Sequence, residues 1–447
     1  MLYIGKYDYA HQYFTLPLQS NQLSQSVLPR HYYGIGTVYS LQHEYDKALE
    51  YYEKALEIQL TSLPSYHPSL APTYTKIGLV SQATHEYDTA LEYYEKALQI
   101  QMKSLPQYHP TLATIYTTIG SVYNDRDEYD KALEYYEKAL EIQMKSLPRY
   151  HPSLATTYTA MGLVYNDRGE YNKALEYYEK ALEIKMKSLP PCHPTLATTY
   201  MNIGVVYSRK GEYGKALEYY EKALQIQMKS LPPYHPSLAT AYTNIGLVYN
   251  DRGEYNKALE YYEKALEIER KCLPSYHQSL ATTYTNIGLV YKDRGKYDKA
   301  LEYYEKTQKI QMKFLPPYHR SLATTYTNIG AVYNDTGEYE KALEYYAKAQ
   351  EIQMKSLSPY HPSLATTYTN IGSVYNYKGE YSKAIEYYEK GLEIQMKSLP
   401  PYHPSLATTY MNIGSVQNDN GEYDRALEYY EKALKIRMKL LPQYQPL

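Results

Sequence analysis

The chain has 447 residues, with 47 Lys and Arg against 49 Asp and Glu, and a formal net charge of −2. This balance excludes the basic excess typical of nucleic-acid-binding proteins, and no apolar run approaches the ~18 residues of a membrane span. Cys192 and Cys272 cannot build a disulfide framework, and the N-terminal residues lack the regions of a signal peptide. These features predict a cytoplasmic protein with no nucleic-acid and no membrane partner.

Residues 1–24 are predicted to be a degenerate partial repeat. Residues 5–14 read GKYDYAHQYF, which is close to the segment GEYDKALEYY that recurs further along the chain. The sequence therefore predicts a helix here, and Pro17 is expected to cut it short because proline lacks a backbone donor. Terminal repeats normally carry a polar outer face, and this segment does not have one.

An internal repeat of constant length fills residues 25–444. Histidines recur every 42 residues from His67 to His403, and glycines do so from Gly36 to Gly414, with no insertion or deletion. The sequence therefore predicts one array without a linker. Its ten units are residues 25–66, 67–108, 109–150, 151–192, 193–234, 235–276, 277–318, 319–360, 361–402 and 403–444.

The unit at residues 235–276 illustrates the first predicted helix. Apolar or small residues recur at helical spacing, namely Leu238, Tyr242, Ile245, Gly246 and Tyr249. Pro236 suits the first helical position, where its missing N–H costs nothing. Gly253 suits the left-handed residue that ends a helix.

The same unit contains a second helical pattern and a connector. Its apolar stripe consists of Tyr255, Ala258, Tyr262, Ala265, Leu266 and Ile268. Glu260 and Lys264 form a favourable pair on the opposite face, and residues 273–276 break the pattern. Each unit is thus a predicted helical hairpin that must stack on its neighbours to bury its open apolar face.

The aromatic, glycine and alanine positions of this unit closely resemble the tetratricopeptide repeat signature, with Tyr in the usual Trp place. The 42-residue length and the His-Pro connector resemble the repeats of kinesin light chains and nephrocystin-type proteins. The resemblance implies an all-α fold, a right-handed α-solenoid superhelix of about ten hairpins whose first helices line a concave groove. Departures from the signature occur at His43, Ser81, His85, Asp127, Thr307, Gly391 and Gln417.

The sequence predicts no catalytic, cofactor or metal site, and hence no enzyme. The nine histidines of the array are each displaced by one repeat, whereas metal ligands must converge on one ion. Most of them precede proline, so they are expected to cap the following helix. The glycines Gly288 and Gly295 before Lys296 have the wrong spacing for a phosphate loop, and neither cysteine lies in a nucleophile motif.

Binding residues are predicted on the exposed side of the first helices. The sixth place of the first helix is asparagine in six consecutive units, at Asn202, Asn244, Asn286, Asn328, Asn370 and Asn412. An amide can pair with the N–H and C=O of an extended ligand, and peptide-binding repeats of the resembled family use Asn at the matching place. Alternatively, these amides satisfy neighbouring backbone or water. Aspartates share that stripe seven residues further on, at Asp251, Asp293, Asp335 and Asp419.

The leading functional hypothesis is a non-catalytic adaptor or scaffold that binds a protein or an extended peptide in the concave groove. No heptad stretch of the kind that kinesin light chains use to join heavy chains is present. Residues 445–447 read as the truncated start of a further connector. Two alternatives follow from the uncapped ends: end-to-end self-association into a structural array, and an interaction segment of a larger multidomain protein whose catalytic domain lies outside these residues.

Overall fold

The computed structural model describes residues 4–19, 24 and 26–440, and these ranges contain 21 α-helices and no β-strand. The predicted all-α fold is therefore confirmed. No helix in the described ranges combines the length and the apolar character needed to cross a membrane. Residues 445–447, predicted as the start of a connector, lie outside the described residues.

Residues 1–230 form the first of two compact units, here called the N-terminal unit. Its helices are α1 Ile4–Gln19, α2 Leu28–Leu41, α3 Tyr45–Ser62, α4 Leu70–Ala83, α5 Tyr87–Ser104, α6 Pro110–Asp125, α7 Tyr129–Ser146, α8 Pro152–Asp167, α9 Tyr171–Ser188, α10 Pro194–Arg209 and α11 Tyr213–Ser230. Pro17 lies inside α1, and the helix continues for two residues beyond it to Gln19. A proline near the last turn removes one hydrogen bond without preventing that turn.

Residues 231–447 form the second unit, here called the C-terminal unit. Its helices are α12 Pro236–Asp251, α13 Tyr255–Cys272, α14 Gln278–Asp293, α15 Tyr297–Phe314, α16 Arg320–Asp335, α17 Tyr339–Ser356, α18 Pro362–Tyr377, α19 Tyr381–Ser398, α20 Pro404–Asp419 and α21 Tyr423–Leu440. The even-numbered helices are the first helices of hairpins, and the odd-numbered helices after α1 are the second helices.

The helices pack in the same way within the N-terminal unit and within the C-terminal unit. A second helix packs against the first helix of its own hairpin and against the first helix of the next hairpin, as α19 does with α18 and α20. Consecutive first helices such as α14 and α16 also touch, whereas no pair of second helices makes a comparable contact in the described ranges. The N-terminal unit and the C-terminal unit are therefore each a stack of tetratricopeptide-like hairpins.

The recurring histidines begin the first helices. Each Nδ1 accepts a hydrogen bond from the backbone N–H two residues later, at 3.2–3.3 Å. The residues that do this are His67, His109, His151, His193, His235, His277, His319, His361 and His403. Such a bond satisfies one of the donors left free at a helix start. The predicted capping role is confirmed for the eight histidines from His109 to His403, whereas α4 begins only at Leu70, three residues after His67.

Glycine at the helix crossing sets how closely the two helices of a hairpin approach. A Cβ added to Gly246 would lie 2.6 Å from the Tyr262 ring, and Ala258 beside it is fully buried. The turn between the helices needs a left-handed residue, and Gly253 supplies it with φ of 72°. His85 takes the same conformation at 65° in a hairpin that lacks this glycine.

The buried tyrosines of the second helices differ from one another in how their hydroxyl groups are satisfied. Tyr52 donates to Thr37 Oγ1 at 3.1 Å, whereas the Tyr262 and Tyr304 hydroxyls are buried without a partner in the described residues. A buried tyrosine hydroxyl usually has a hydrogen-bond partner, and these two are exceptions. The place of Thr37 is taken by Leu247 and Leu289 in their hairpins, and leucine offers no acceptor.

A buried polar row links successive hairpins, and the sequence analysis missed it. In four hairpins a glutamine near the end of the second helix accepts from a threonine of the next first helix. Gln143 accepts from Thr157 at 2.9 Å, and Gln311 accepts from Thr325 at 2.7 Å. Two members of the row are ionisable instead, namely Lys185 and Glu269. This row joins one hairpin to the next through specific hydrogen bonds.

Candidate functional site

The predicted asparagines lie on the first helices, as the repeat pattern requires. Asn202 belongs to α10 of the N-terminal unit. The other five, here called the Asn row, lie on five consecutive first helices of the C-terminal unit, and all are partly exposed. They are Asn244, Asn286, Asn328, Asn370 and Asn412. We call the surface on which they lie the first-helix face.

The side chains of the Asn row have no hydrogen-bond partner among the residues that the structure describes. Threonines immediately before them behave differently and bond to their own helix. Thr285 donates to the Ala281 carbonyl at 2.8 Å, and Thr327 donates to the Ala323 carbonyl at 2.9 Å. The amides of the Asn row therefore retain both a donor and an acceptor for another molecule.

The predicted aspartates are all exposed at the end of the first helices. Asp335 forms an ion pair with Lys292 of the preceding first helix at 3.3 Å. Asp251, Asp293 and Asp419 form no ion pair within the described part of the chain. Although Asp251 is exposed, desolvation of its carboxyl by neighbouring protein atoms raises its pKa above the ordinary value. The first-helix face of the C-terminal unit therefore carries negative charges that its own cations leave largely unpaired.

A second set of asparagines accompanies the first, and the sequence analysis overlooked it. Asn250, Asn334 and Asn376 lie six residues after members of the Asn row, and their side-chain oxygens are buried without a partner among the described residues. Lys292 occupies the same place in its own repeat and reaches the next first helix. This second set therefore lies at the seam between consecutive first helices. Comparing the residues at intervals of 42 positions would have revealed this second set of asparagines from the sequence.

Other chemistry is sparse in the described ranges. No group of three or more His, Cys, Asp or Glu side chains lies close enough together there to hold a metal ion. Cys192 is exposed and Cys272 is partly buried, and neither is paired. Burial raises the pKa of the Cys272 thiol, which disfavours the reactive thiolate. The first-helix face is therefore the best candidate for function.

Comparison with known proteins supports the repeat assignment. The profile of the tetratricopeptide repeat matches residues 28–103, 111–187, 195–271, 238–313, 279–355, 321–397 and 363–439. No curated protein sequence matches the chain.

Several solved structures are similar in fold. The apo form of the quorum sensor NprR from B. thuringiensis is 18% identical with a TM-score of 0.58, over 81% of this chain and 97% of that one. BtubC (BKLC) from P. vanneervenii is 22% identical with a TM-score of 0.45, over 53% of this chain and 94% of that one. The nearly identical TPR-like repeats of a candidate kinesin light chain from Podosopora anserina are 26% identical with a TM-score of 0.41, over 47% and 99%.

Proposed function

The chain belongs to the tetratricopeptide repeat family, and we propose that it is a non-catalytic scaffold that binds an extended peptide segment of a protein partner. The Asn row on the first-helix face of the C-terminal unit holds that segment. Tetratricopeptide repeats typically serve as interaction scaffolds, which supports the general role. The observation that carries the specific site is the set of five regularly placed amides with no hydrogen-bond partner in the described residues.

The chemistry of the amide fits a peptide backbone. Each Asn side chain has a carbonyl oxygen that accepts and an NH₂ group that donates. An extended peptide presents backbone N–H and C=O groups along its length and cannot satisfy them internally. Amides from consecutive repeats, for example Asn244, Asn286 and Asn328, can therefore bind successive backbone groups without depending on the peptide sequence.

The Asp residues are expected to select among peptides by charge. Asp251 and Asp293 have no ion pair in the described residues, so a lysine or arginine of the ligand would supply one. Exposed pairs of this kind weaken as salt increases, and they affect partner choice more than total affinity. We therefore propose a preference for ligands with basic side chains.

The test is affinity purification with the 447-residue chain, comparing wild type with a triple variant. Replacing Asn244, Asn286 and Asn328 by Ala removes up to three sets of ligand hydrogen bonds, each contributing ~0.5–1.5 kcal/mol net. The affinity for a captured partner should fall roughly ten- to thousandfold. Folding should change little, because the side chains are partly exposed and Ala favours helix.

The N-terminal unit offers a matched control at the same place of the repeat. Thr118 and Ala160 occupy it there, and Thr118 donates to its own helix at the Thr114 carbonyl. Substituting Thr118→Ala and Ala160→Ser should leave binding unchanged. Partners captured equally by wild type and by the triple variant would place binding on another surface and refute the proposed site.

A further inference from the structure

Three residues near the ends of α13 and α15 depart from the repeat pattern. Arg270 stands where every other repeat has methionine or leucine, and Lys309 stands where most repeats have glutamate. Phe314 stands where most repeats have serine. All three side chains are exposed. Because the neighbouring hairpins form with the usual residues at these places, the fold does not require the departures.

Notches between consecutive second helices show that two of these places lie together. In the N-terminal unit Met144 and Glu183 line one notch of about 360 Å³, and a second notch one repeat earlier has the equivalent lining. Arg270 and Lys309 occupy the places of Met144 and Glu183 three repeats further along the chain. Since the repeats have the same helices and connectors, the guanidinium group and the ammonium group border the same surface between α13 and α15.

Two stacked aromatic rings lie beside these cations. Phe314 is 47% exposed, and its ring stacks on that of Tyr276 with the centroids 4.1 Å apart. The Lys313 ammonium lies 4.7 Å from the centroid of the Tyr276 ring and 5.6 Å from that of Phe314. Lys309 precedes Lys313 by one helical turn, so both side chains lie on the same side of α15. We call Arg270, Tyr276, Lys309, Lys313 and Phe314 the basic patch.

The three cations of the basic patch form no ion pair within the described residues. In the equivalent part of α19, Lys397 pairs with Glu393 at 2.7 Å. Lys309 replaces that glutamate on α15, so two like charges stand one turn apart and destabilise each other. Arg270 donates a hydrogen bond to the Tyr284 hydroxyl at 3.2 Å, which leaves its charge uncompensated. The basic patch therefore carries three positive charges that an anionic partner can neutralise.

We propose that the basic patch binds a short acidic segment of a partner protein. Carboxylates of the segment pair with Arg270, Lys309 and Lys313, and an apolar side chain of the segment contacts the exposed part of the Phe314 ring. A protein segment fits better than nucleic acid, because the chain has a net charge of −2 and lacks the basic excess of nucleic-acid-binding proteins. The basic patch lies on second helices and a connector, apart from the Asn row, so the two proposals stand or fall separately.

The probe is a fluorescein-labelled peptide of sequence GEELEEG, titrated with the 447-residue chain and followed by fluorescence anisotropy. Saturable binding is expected. The triple change Arg270→Met, Lys309→Glu and Phe314→Ser restores residues that other repeats carry, so the circular dichroism of this variant should match wild type. Its affinity for the peptide should be at least about tenfold lower, because charge-assisted hydrogen bonds are lost. A GQQLQQG peptide, which lacks the carboxylates, should bind wild type as weakly as the acidic peptide binds the variant.

The repeat also allows the site to be transferred. Met354→Arg, Glu393→Lys and Ser398→Phe build the same set of residues two repeats further along the chain. Introduced into the triple variant, these changes should restore binding, and introduced into wild type they should raise the stoichiometry from one peptide per chain to two.

Three results would overturn the proposal. The first is the absence of saturable binding of the acidic peptide to wild type, and the second is equal binding to wild type and to the triple variant. The third is a single-stranded DNA oligonucleotide that binds wild type more tightly than the peptide and loses this affinity in the triple variant, which would assign the basic patch to nucleic acid.

Discussion

The substitution Glu269→Gln is expected to stabilise the protein at neutral pH. Glu269 is 4% exposed and occupies a place that is glutamine in most hairpins. One carboxylate oxygen accepts from Thr283 Oγ1 at 3.1 Å, and the other is buried without a partner in the described residues. Burial raises the pKa of this carboxyl, which the hydrogen bond from Thr283 only partly offsets. The variant replaces the buried carboxylate with a neutral amide of the same shape.

The size and the pH dependence of the effect follow from this geometry. The amide of the variant still leaves one buried polar atom unpaired, so the gain comes from removing the buried charge. Since an unpaired buried polar group costs about 1–3 kcal/mol and a charged one costs more, the free energy of unfolding should rise by about 1 kcal/mol at pH 7. The pKa of Glu269 in the folded state lies above its unfolded value near 4.5. The protonated form is therefore favoured by folding, and wild type loses stability as the pH rises from 4.5 through the folded-state pKa. The advantage of the variant should vanish below pH 4.5.

The assay is hydrogen exchange with mass spectrometry on residues 255–293, performed at pH values between 4 and 8 and corrected for intrinsic exchange rates. Protection should increase in Glu269→Gln at pH 7 and match wild type at the acidic end. The inverse substitution Gln311→Glu at the next hairpin interface is the control, and it should create the same defect, because Gln311 accepts from Thr325 in the equivalent geometry. A variant that is no more stable at pH 7, or whose advantage grows as the pH falls, would refute this reasoning.

Three further predictions concern packing, buried hydroxyls and metals. Gly288→Leu should cost about 1–3 kcal/mol or more, because an added Cβ would lie 2.6 Å from the Tyr304 ring, and hydrogen exchange should increase around residues 277–305 and little near residue 60. Tyr262→Phe should be neutral or stabilising and Tyr52→Phe should lose about 1 kcal/mol in denaturant unfolding, since only Tyr52 has a hydrogen bond to lose. A chelator should leave the thermal midpoint unchanged, and a fall of several degrees would contradict the capping role of the histidines.

Much of the fold could be predicted because the same short sequence patterns recur from repeat to repeat and each pattern determines the local structure. A histidine before proline, a glycine at the crossing and a left-handed turn residue each have a local physical reason, as seen at His235, Gly246 and Gly253. Because each pattern recurs in at least seven repeats at the same 42-residue step, it cannot be mistaken for a chance match. The hairpin and its stacking on neighbours follow directly from these patterns.

Other features depended on pairs of residues in different helices and could not be read from one position. The partner of Tyr52 is Thr37, and the loss of the partner at Tyr262 becomes visible only once Leu247 is known to occupy that place. The row containing Gln143 and Glu269 was missed for the same reason, because its threonine partners belong to the next hairpin. The candidate site could be predicted only in part. The sequence indicated its location on the first helices, but it could not show that the amides have no internal hydrogen-bond partners in the described residues.

The packing of the hairpins also helps to distinguish residues that the fold requires from residues that are available for binding. The capping histidines and crossing glycines are explained by contacts within the array, so their recurrence needs no ligand. The sixth place of the first helix is different, because Lys76, Thr118 and Ala160 occupy it in repeats with the same hairpin structure. The fold therefore accepts a charged, a hydroxyl or an apolar side chain there. Since folding does not demand asparagine at that place, its presence in consecutive repeats of the C-terminal unit, without an internal partner in the described residues, supports the proposed peptide-binding site.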